Sequence, residues 1–118
     1  NVEKSKNDLL DLLHSLSKSG KNIAGYAATS KSTTILNYCG IGPDLIQFIS
    51  DTTPLKIGKV SPGMHIPILS YEYFCSNRPD YAFLFAWNHS KEILANEVKF
   101  SKSGGKWISH VPNIRVID

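Results

Sequence analysis

Residues 23–41, Ile-Ala-Gly-Tyr-Ala-Ala-Thr-Ser-Lys-Ser-Thr-Thr-Ile-Leu-Asn-Tyr-Cys-Gly-Ile, constrain the fold more than any other part of the chain. Ile23-Ala24-Gly25-Tyr26 is a short apolar run leading into small residues. A hydroxyl-rich turn follows, Thr29-Ser30-Lys31-Ser32-Thr33-Thr34, with a single cation. Apolar side chains then return at Ile35, Leu36 and Cys39, close to a helical period. The pattern predicts strand, tight turn and helix start. Such a junction points unpaired backbone N–H groups and the positive end of a helix dipole at one place, which suits a phosphate.

The remaining chain repeats this alternation. Val2 to Ser19 carries Leu9, Leu10, Leu12, Leu13 and Leu16 on one side and polar residues elsewhere, an amphipathic helix closed by Gly20. Asp44 to Ser50 reads as a strand buried on both faces, with Asp51 just past its end. Residues 52–63 form a loop rich in Pro, Gly and Lys. His65 to Leu69 predicts a short strand, and Pro67 within it argues for the sheet edge. Ser70 can cap a short helix over Tyr71 to Ser76. Tyr81-Ala-Phe-Leu-Phe-Ala86 is the most apolar run and should be a central strand. Ser90 can cap a helix from Lys91 to Ser103 that turns Ile93, Leu94, Val98 and Phe100 inward. Lys106 to Val111 predicts a last strand, and Pro112 to Asp118 an edge extension.

Strands alternating with helices imply parallel pairing through right-handed crossovers. The expected fold is therefore α/β, a small Rossmann-like three-layer sandwich of about five mostly parallel strands, ordered 3-2-1-4-5, with helices on both faces. With 118 residues, 42% of them apolar and 19% charged, the chain is expected to be one folded domain, 1–118, led by the helix over 1–20. In that strand order the ligand crevice falls between the turns Tyr26–Lys31 and Trp87–His89.

Within the first turn, Gly25-x-Ala27-x-x-Ser30 is a worn form of G-x-G-x-x-G, and Asp51 follows about twenty residues on, where a ribose-binding acid belongs. The same residues read as Gly25-x-x-x-x-Ser30-Lys31-Ser32, one position short of a P-loop. A plain connection with ordinary caps is the third reading. Lys31 is either a phosphate partner or a solvated side chain, and Asp51 either a sugar-hydroxyl acceptor or a cap for the loop behind it. Trp87 and Asn88 offer a stacking face and a bidentate amide, or simply a sheet-edge contact. His65 can line the pocket or sit at the surface. The four histidines share no metal-ligand spacing, and no nucleophile–base arrangement can be assembled. Net charge is +3, without a basic tract interleaved with aromatics, so nucleic acid is not an expected partner. No apolar run approaches the roughly 18 residues of a membrane span. Cys39 and Cys75, both among apolar residues in predicted helices, are expected to be buried reduced thiols. A cytoplasmic protein is the resulting expectation. The chain starts at Asn1 on an already amphipathic segment, as a piece of a longer protein or a processed N-terminus would.

Four segments carry a family resemblance: residues 25–41; 51–68, Asp-Thr-Thr-Pro-Leu-Lys-Ile-Gly-Lys-Val-Ser-Pro-Gly-Met-His-Ile-Pro-Ile; 79–88, Pro-Asp-Tyr-Ala-Phe-Leu-Phe-Ala-Trp-Asn; and 104–108, Gly-Gly-Lys-Trp-Ile. Together they resemble the C-terminal domain of SAM-dependent C-methyltransferases that act on nucleotide-linked deoxysugars. The resemblance implies a zinc-binding domain and a SAM-binding methyltransferase domain upstream, with the catalytic base there too, so that neither cofactor nor catalytic residue is expected in this chain. It implies a nucleotide-linked sugar and the upstream domain as partners. Gly25, Tyr26, Ala27, Thr29, Ser30, Lys31, Asn37, Asp51, Lys56, His65, Trp87 and Asn88 are the candidate substrate-binding residues. The chain departs from the family at Ala27, where Gly is frequent, and around Ser30 and Ser32. Loops like residues 51–68 also occur in CoA- and dinucleotide-binding Rossmann domains, so a stand-alone binding module is the alternative.

Overall fold

A computed structural model of the chain describes residues 2–27, 30–85, 89–109 and 114–117; the description leaves out the side chains of Val2, Ser30, Lys31 and Arg115. The helices are α1 (Val2–Lys18), α2 (Ser30–Cys39), α3 (Tyr71–Ser76), α4 (Ser90–Asn96) and α5 (Val98–Lys102). The strands are β1 (Ile23–Tyr26), β2 (Ile49–Asp51), β3 (Ile68–Ser70), β4 (Tyr81–Leu84), β5 (Lys106–Ser109) and β6 (Arg115–Ile117). The strands form one sheet in the order β3-β2-β1-β4-β5-β6. β1 to β5 pair in parallel, and β6 returns antiparallel to β5. The expected Rossmann-like order is present, with the C-terminal extension as a sixth strand.

Alternate residues of each central strand enter opposite layers, because side chains on a strand alternate in direction. Ile23, Phe83, Phe85 and Ile108 pack with Leu9 and Leu13 of α1 and Leu36 and Cys39 of α2. Ala24, Ala82, Leu84 and Trp107 pack with Phe74 of α3 and Phe100 of α5, joined by Ile93 and Leu94 of α4. Helices therefore cover both faces, and the leucine stripe of α1 seats it as its spacing predicts: Leu9 and Leu13 are buried and Leu16 is partly so.

Four expectations need correction. The apolar run over Asp44 to Ser50 is strand only from Ile49; residues 43–45 turn first. Gln47 N–H still donates to Ile23 O at 3.0 Å and Gly25 N–H to Phe48 O at 2.8 Å, so the segment runs along β1. Second, the helix expected over Lys91 to Ser103 breaks at Glu97, which shifts the phase of everything after it: Val98 is exposed and Glu97 is buried. Third, Ser90 is the first helical residue of α4; His89 holds the cap position, without a side-chain capping bond. Fourth, Cys75 is exposed and Cys39 buried, both as free thiols. The short α3 has Phe74 as its buried residue, and Cys75 beside it faces outward.

β3, which begins at Ile68 rather than His65 and so leaves Pro67 just before it, is the edge strand as expected, yet its edge is covered. Residues 58–61 fold back beside it: Gly58 N–H donates to Ile68 O and Ile68 N–H to Lys59 O, both at 2.8 Å, and Val60 bridges Pro67. Pairing this edge with its own loop removes a template for association with other chains.

Candidate functional site

The chain's connections reverse across the sheet between β1 and β4, so the switch-point crevice opens at the carboxyl ends of these two strands. Tyr26 ends β1, and α2 begins at Ser30. Ala27, between them, has φ of 75°, in the left-handed region that L-residues avoid. Its N–H donates to Ser50 O at 2.8 Å, which holds the chain to β2 as it leaves the sheet. Thr29, Trp87 and Asn88 lie outside the described residues, as do the side chains of Ser30 and Lys31.

Gly25 is accounted for by packing. A Cβ there would stand 2.7 Å from Cε2 of Phe85 and 3.2 Å from Cγ1 of Ile49. Tyr26 is also committed: its hydroxyl donates to Glu97 Oε2 at 2.7 Å. Asp51 uses Oδ1 to accept the Thr53 N–H at 2.7 Å, the cap geometry that stops a strand end from fraying into the loop. Lys56 is exposed in the turn beyond it. Asn37 projects from α2 against the residue 62–64 turn, where a Cβ on Gly63 would collide with its amide. His65, next along that loop, is exposed with φ of 59°, and its N–H donates to Ser61 O at 3.0 Å. The structure thus joins Asn37 to the loop carrying His65, and joins Asp51 to the turn at Thr53.

One polar cluster has no precursor in the sequence reading. Glu97, 3% exposed in the break between α4 and α5, accepts hydrogen bonds from Tyr26 Oη at 2.7 Å and Tyr71 Oη at 2.9 Å. Arg78 Nη1 lies 3.9 Å from Glu97 Oε1 without forming a hydrogen bond, while the guanidinium rests over the Phe74 and Phe100 rings at 5.1 and 5.7 Å from their centroids. Burial, and then the Glu97 hydrogen bond and charge, push the Tyr26 hydroxyl well above the ordinary tyrosine range. The Tyr71 hydroxyl is pushed up by burial, then by hydrogen bonds with Cys75 and Glu97. Both tyrosines therefore remain donors at neutral pH. No hydrophobic period marks a buried glutamate in a helical segment, so the sequence offered no signal for it.

A groove of about 550 Å³ lies at the opposite, amino-terminal edge of the sheet, lined by Asn22, Gln47, Phe48, Tyr73, Asn77 and Arg78 among others. It lies at the other ends of the strands from the switch point, because Asn22 precedes β1 and Gln47 precedes β2, although its Arg78 reaches Glu97. Topology, rather than this opening, locates the candidate ligand edge. Among the described residues no three His, Cys, Asp or Glu side chains gather as a metal cluster, and no helix is long and apolar enough to cross a membrane.

Two comparisons with known proteins bear on this arrangement. The family model for the C-methyltransferase C-terminal domain matches residues 1–112. The C-methyltransferase NovU of Streptomyces niveus is 43% identical over 115 residues, covering 98% of this chain and 27% of NovU. The chain thus spans about a quarter of that relative's length. It belongs to the C-methyltransferase C-terminal domain family.

Proposed function

We propose that this chain is the substrate-holding C-terminal domain of a SAM-dependent C-methyltransferase that acts on a nucleotide-linked keto-deoxysugar. The observation that carries the reading is the family membership joined to the strand order: the domain presents a Rossmann-type switch point, the kind of crevice that takes a nucleotide. The mild positive charge of +3 favours an anionic diphosphate. The similarity to NovU, itself a C-methyltransferase, supports the reaction class.

In this reading the N–H groups at the start of α2 face the pyrophosphate, and Lys31 adds a charge-assisted contact. Asp51 accepts a sugar hydroxyl, Trp87 stacks on the nucleotide and Asn88 reads its edge, with Thr29 and Ser30 supplying hydroxyls. Asn37, Lys56 and His65 form the wall on the side of the residue 52–65 loop. SAM, held upstream, supplies the methyl group, and a structural zinc belongs upstream as well. A general base there removes the proton beside the ketone, and the resulting sugar enolate forms the new C–C bond with the methyl carbon as that carbon leaves sulfur. The chain alone transfers no methyl group; its share of the work is to bind and orient the sugar.

Calorimetric titration of the chain, and of the longer protein carrying it, with a dTDP-linked sugar, NAD and CoA tests this. The sugar nucleotide should bind best, and Lys31→Ala should weaken it roughly tenfold to a hundredfold, the equivalent of about 1.5–3 kcal/mol for a partly buried charged contact. Preference for NAD or CoA would instead make the domain a plain dinucleotide- or CoA-binding module. Unchanged sugar affinity in Lys31→Ala would remove Lys31 from the site.

A further inference from the structure

Glu97 is a costly residue to bury. Taking a carboxylate out of water costs several kcal/mol, and an apolar side chain of similar size would serve stability as well or better. What an apolar residue cannot do is fix two hydroxyls at one point. Tyr26 is the last residue of β1, and Tyr71 is the first residue of α3, immediately after β3 ends at Ser70. β1 and β3 are not neighbours, because β2 lies between them. Each hydroxyl takes a different oxygen of the one carboxylate, Tyr26 on Oε2 and Tyr71 on Oε1. Glu97 therefore ties the carboxyl ends of two separated strands to each other across β2, whose own end carries Asp51. Of these, the end of β1 borders the switch-point crevice it shares with β4. The tie is braced from behind: Glu97 N–H donates to Ile93 O at 2.9 Å, and its own carbonyl accepts from Phe100 N–H at 3.0 Å, which anchors it to both α4 and α5. Arg78, over the Phe74 and Phe100 rings, offsets the charge without taking either oxygen.

We propose that Glu97 is a positioning residue for the crevice, its carboxylate holding the end of β1, one wall of the crevice that receives the nucleotide-linked sugar, against the chain leaving β3. This rests on the substrate reading above. Among the described residues, the groups facing the carboxylate are Tyr26 from β1, Tyr71 from α3 and Arg78 from the segment after α3, with Cys75 beside Tyr71. Its two oxygens act as acceptors, Oε2 toward Tyr26 and Oε1 toward Tyr71. Glu97→Gln retains one acceptor oxygen and should be intermediate; Glu97→Leu removes the tie.

The test compares Tyr26→Phe, Tyr71→Phe, Glu97→Gln and Glu97→Leu by three measurements: thermal midpoint, dTDP-sugar affinity by calorimetry, and amide hydrogen exchange. Each tyrosine variant should weaken sugar binding about tenfold, the loss of one hydrogen bond to a charged group. In the Glu97→Leu background the same tyrosine changes should have no further effect, because their shared partner is gone. Exchange at the Ala27 amide, bonded to Ser50, and at the Tyr73 amide, bonded to Ser70, should quicken while Leu9 to Leu13 of α1 stays protected. Lowered midpoints with sugar affinity unchanged within twofold would make Glu97 a purely structural residue and overturn the proposal. If the parent chain binds no nucleotide-sugar, the substrate reading fails by itself. Exchange then decides separately whether Glu97 holds the two strand ends, and unchanged rates at Ala27 and Tyr73 overturn that as well. Should Glu97→Leu fail to fold, the two single-atom tyrosine changes carry the same comparison.

Discussion

Gly25→Ala is the sharpest test of how the centre of the sheet is packed. In the absence of a clash the change would stabilise the strand by roughly 0.5–1 kcal/mol, since glycine loses the most backbone freedom on folding. Here the new methyl carbon would meet Phe85 Cε2 at 2.7 Å, Phe85 Cζ at 3.4 Å and Ile49 Cγ1 at 3.2 Å. The ring has little room to retreat. Phe85 is fully buried and stacked on Phe83, with centroids 4.5 Å apart and planes at 29°. Gly25 cannot move away either, since β1 is paired on both sides, to β2 and β4. Overpacking of this kind costs about 1–3 kcal/mol, so a net loss of about 1–2 kcal/mol is expected after the backbone gain. For a domain of this size that lowers the thermal midpoint by roughly 5–10 °C. Urea unfolding should show the midpoint falling with an unchanged slope. Phe85→Leu alone should destabilise by leaving a void, but combined with Gly25→Ala it should cost less than the sum, because the methyl enters space the ring has left. A Gly25→Ala protein as stable as the parent would refute the packing argument and return Gly25 to the phosphate turn as its explanation.

Ala27→Gly should raise stability by about 0.5–1 kcal/mol, since relief of the left-handed alanine outweighs the added chain entropy; the same urea titration measures it. Native-state alkylation should label the exposed Cys75 well before Cys39, whose thiol is held above its ordinary range by burial, with Lys6 opposing only in part; mass spectrometry of the peptides reports the order. The pH dependence has a defined sign. The Tyr26 and Tyr71 hydroxyls are raised from the ordinary 10.0, so the native state keeps protons that the unfolded chain releases above that value. Their contribution to stability is complete below about pH 10 and declines as pH rises beyond it, and Tyr26→Phe should make the alkaline limb of a denaturation series shallower.

Much of the framework was legible because short-range periodicity carries it. The leucines of α1, the Ile23–Tyr26 strand, the α2 period and the Tyr81–Leu84 run each show locally which face is apolar. Right-handed crossovers then leave few ways to order parallel strands. Proline 67 marked the edge because its missing N–H is tolerated there. Local sequence could not decide the course of residues 90–102. Continuous helical phase places Val98 inward, and the break at Glu97 reverses this because Tyr26 and Tyr71, 71 and 26 residues away in sequence, supply the hydrogen bonds that make a buried carboxylate tolerable. Cys75 is outside for a similar reason: in a six-residue helix the neighbour that packs is chosen by the opposing surface, and Phe74 fills it. The phosphate-turn pattern did not show that Gly25 also makes room for the Phe85 ring, or that Asp51 Oδ1 accepts the Thr53 N–H of its own loop. A sequence pattern shows which residues can share a face. Which polar groups meet once the faces close is decided by partners far along the chain, and here that meeting is the single carboxylate tying β1 to β3.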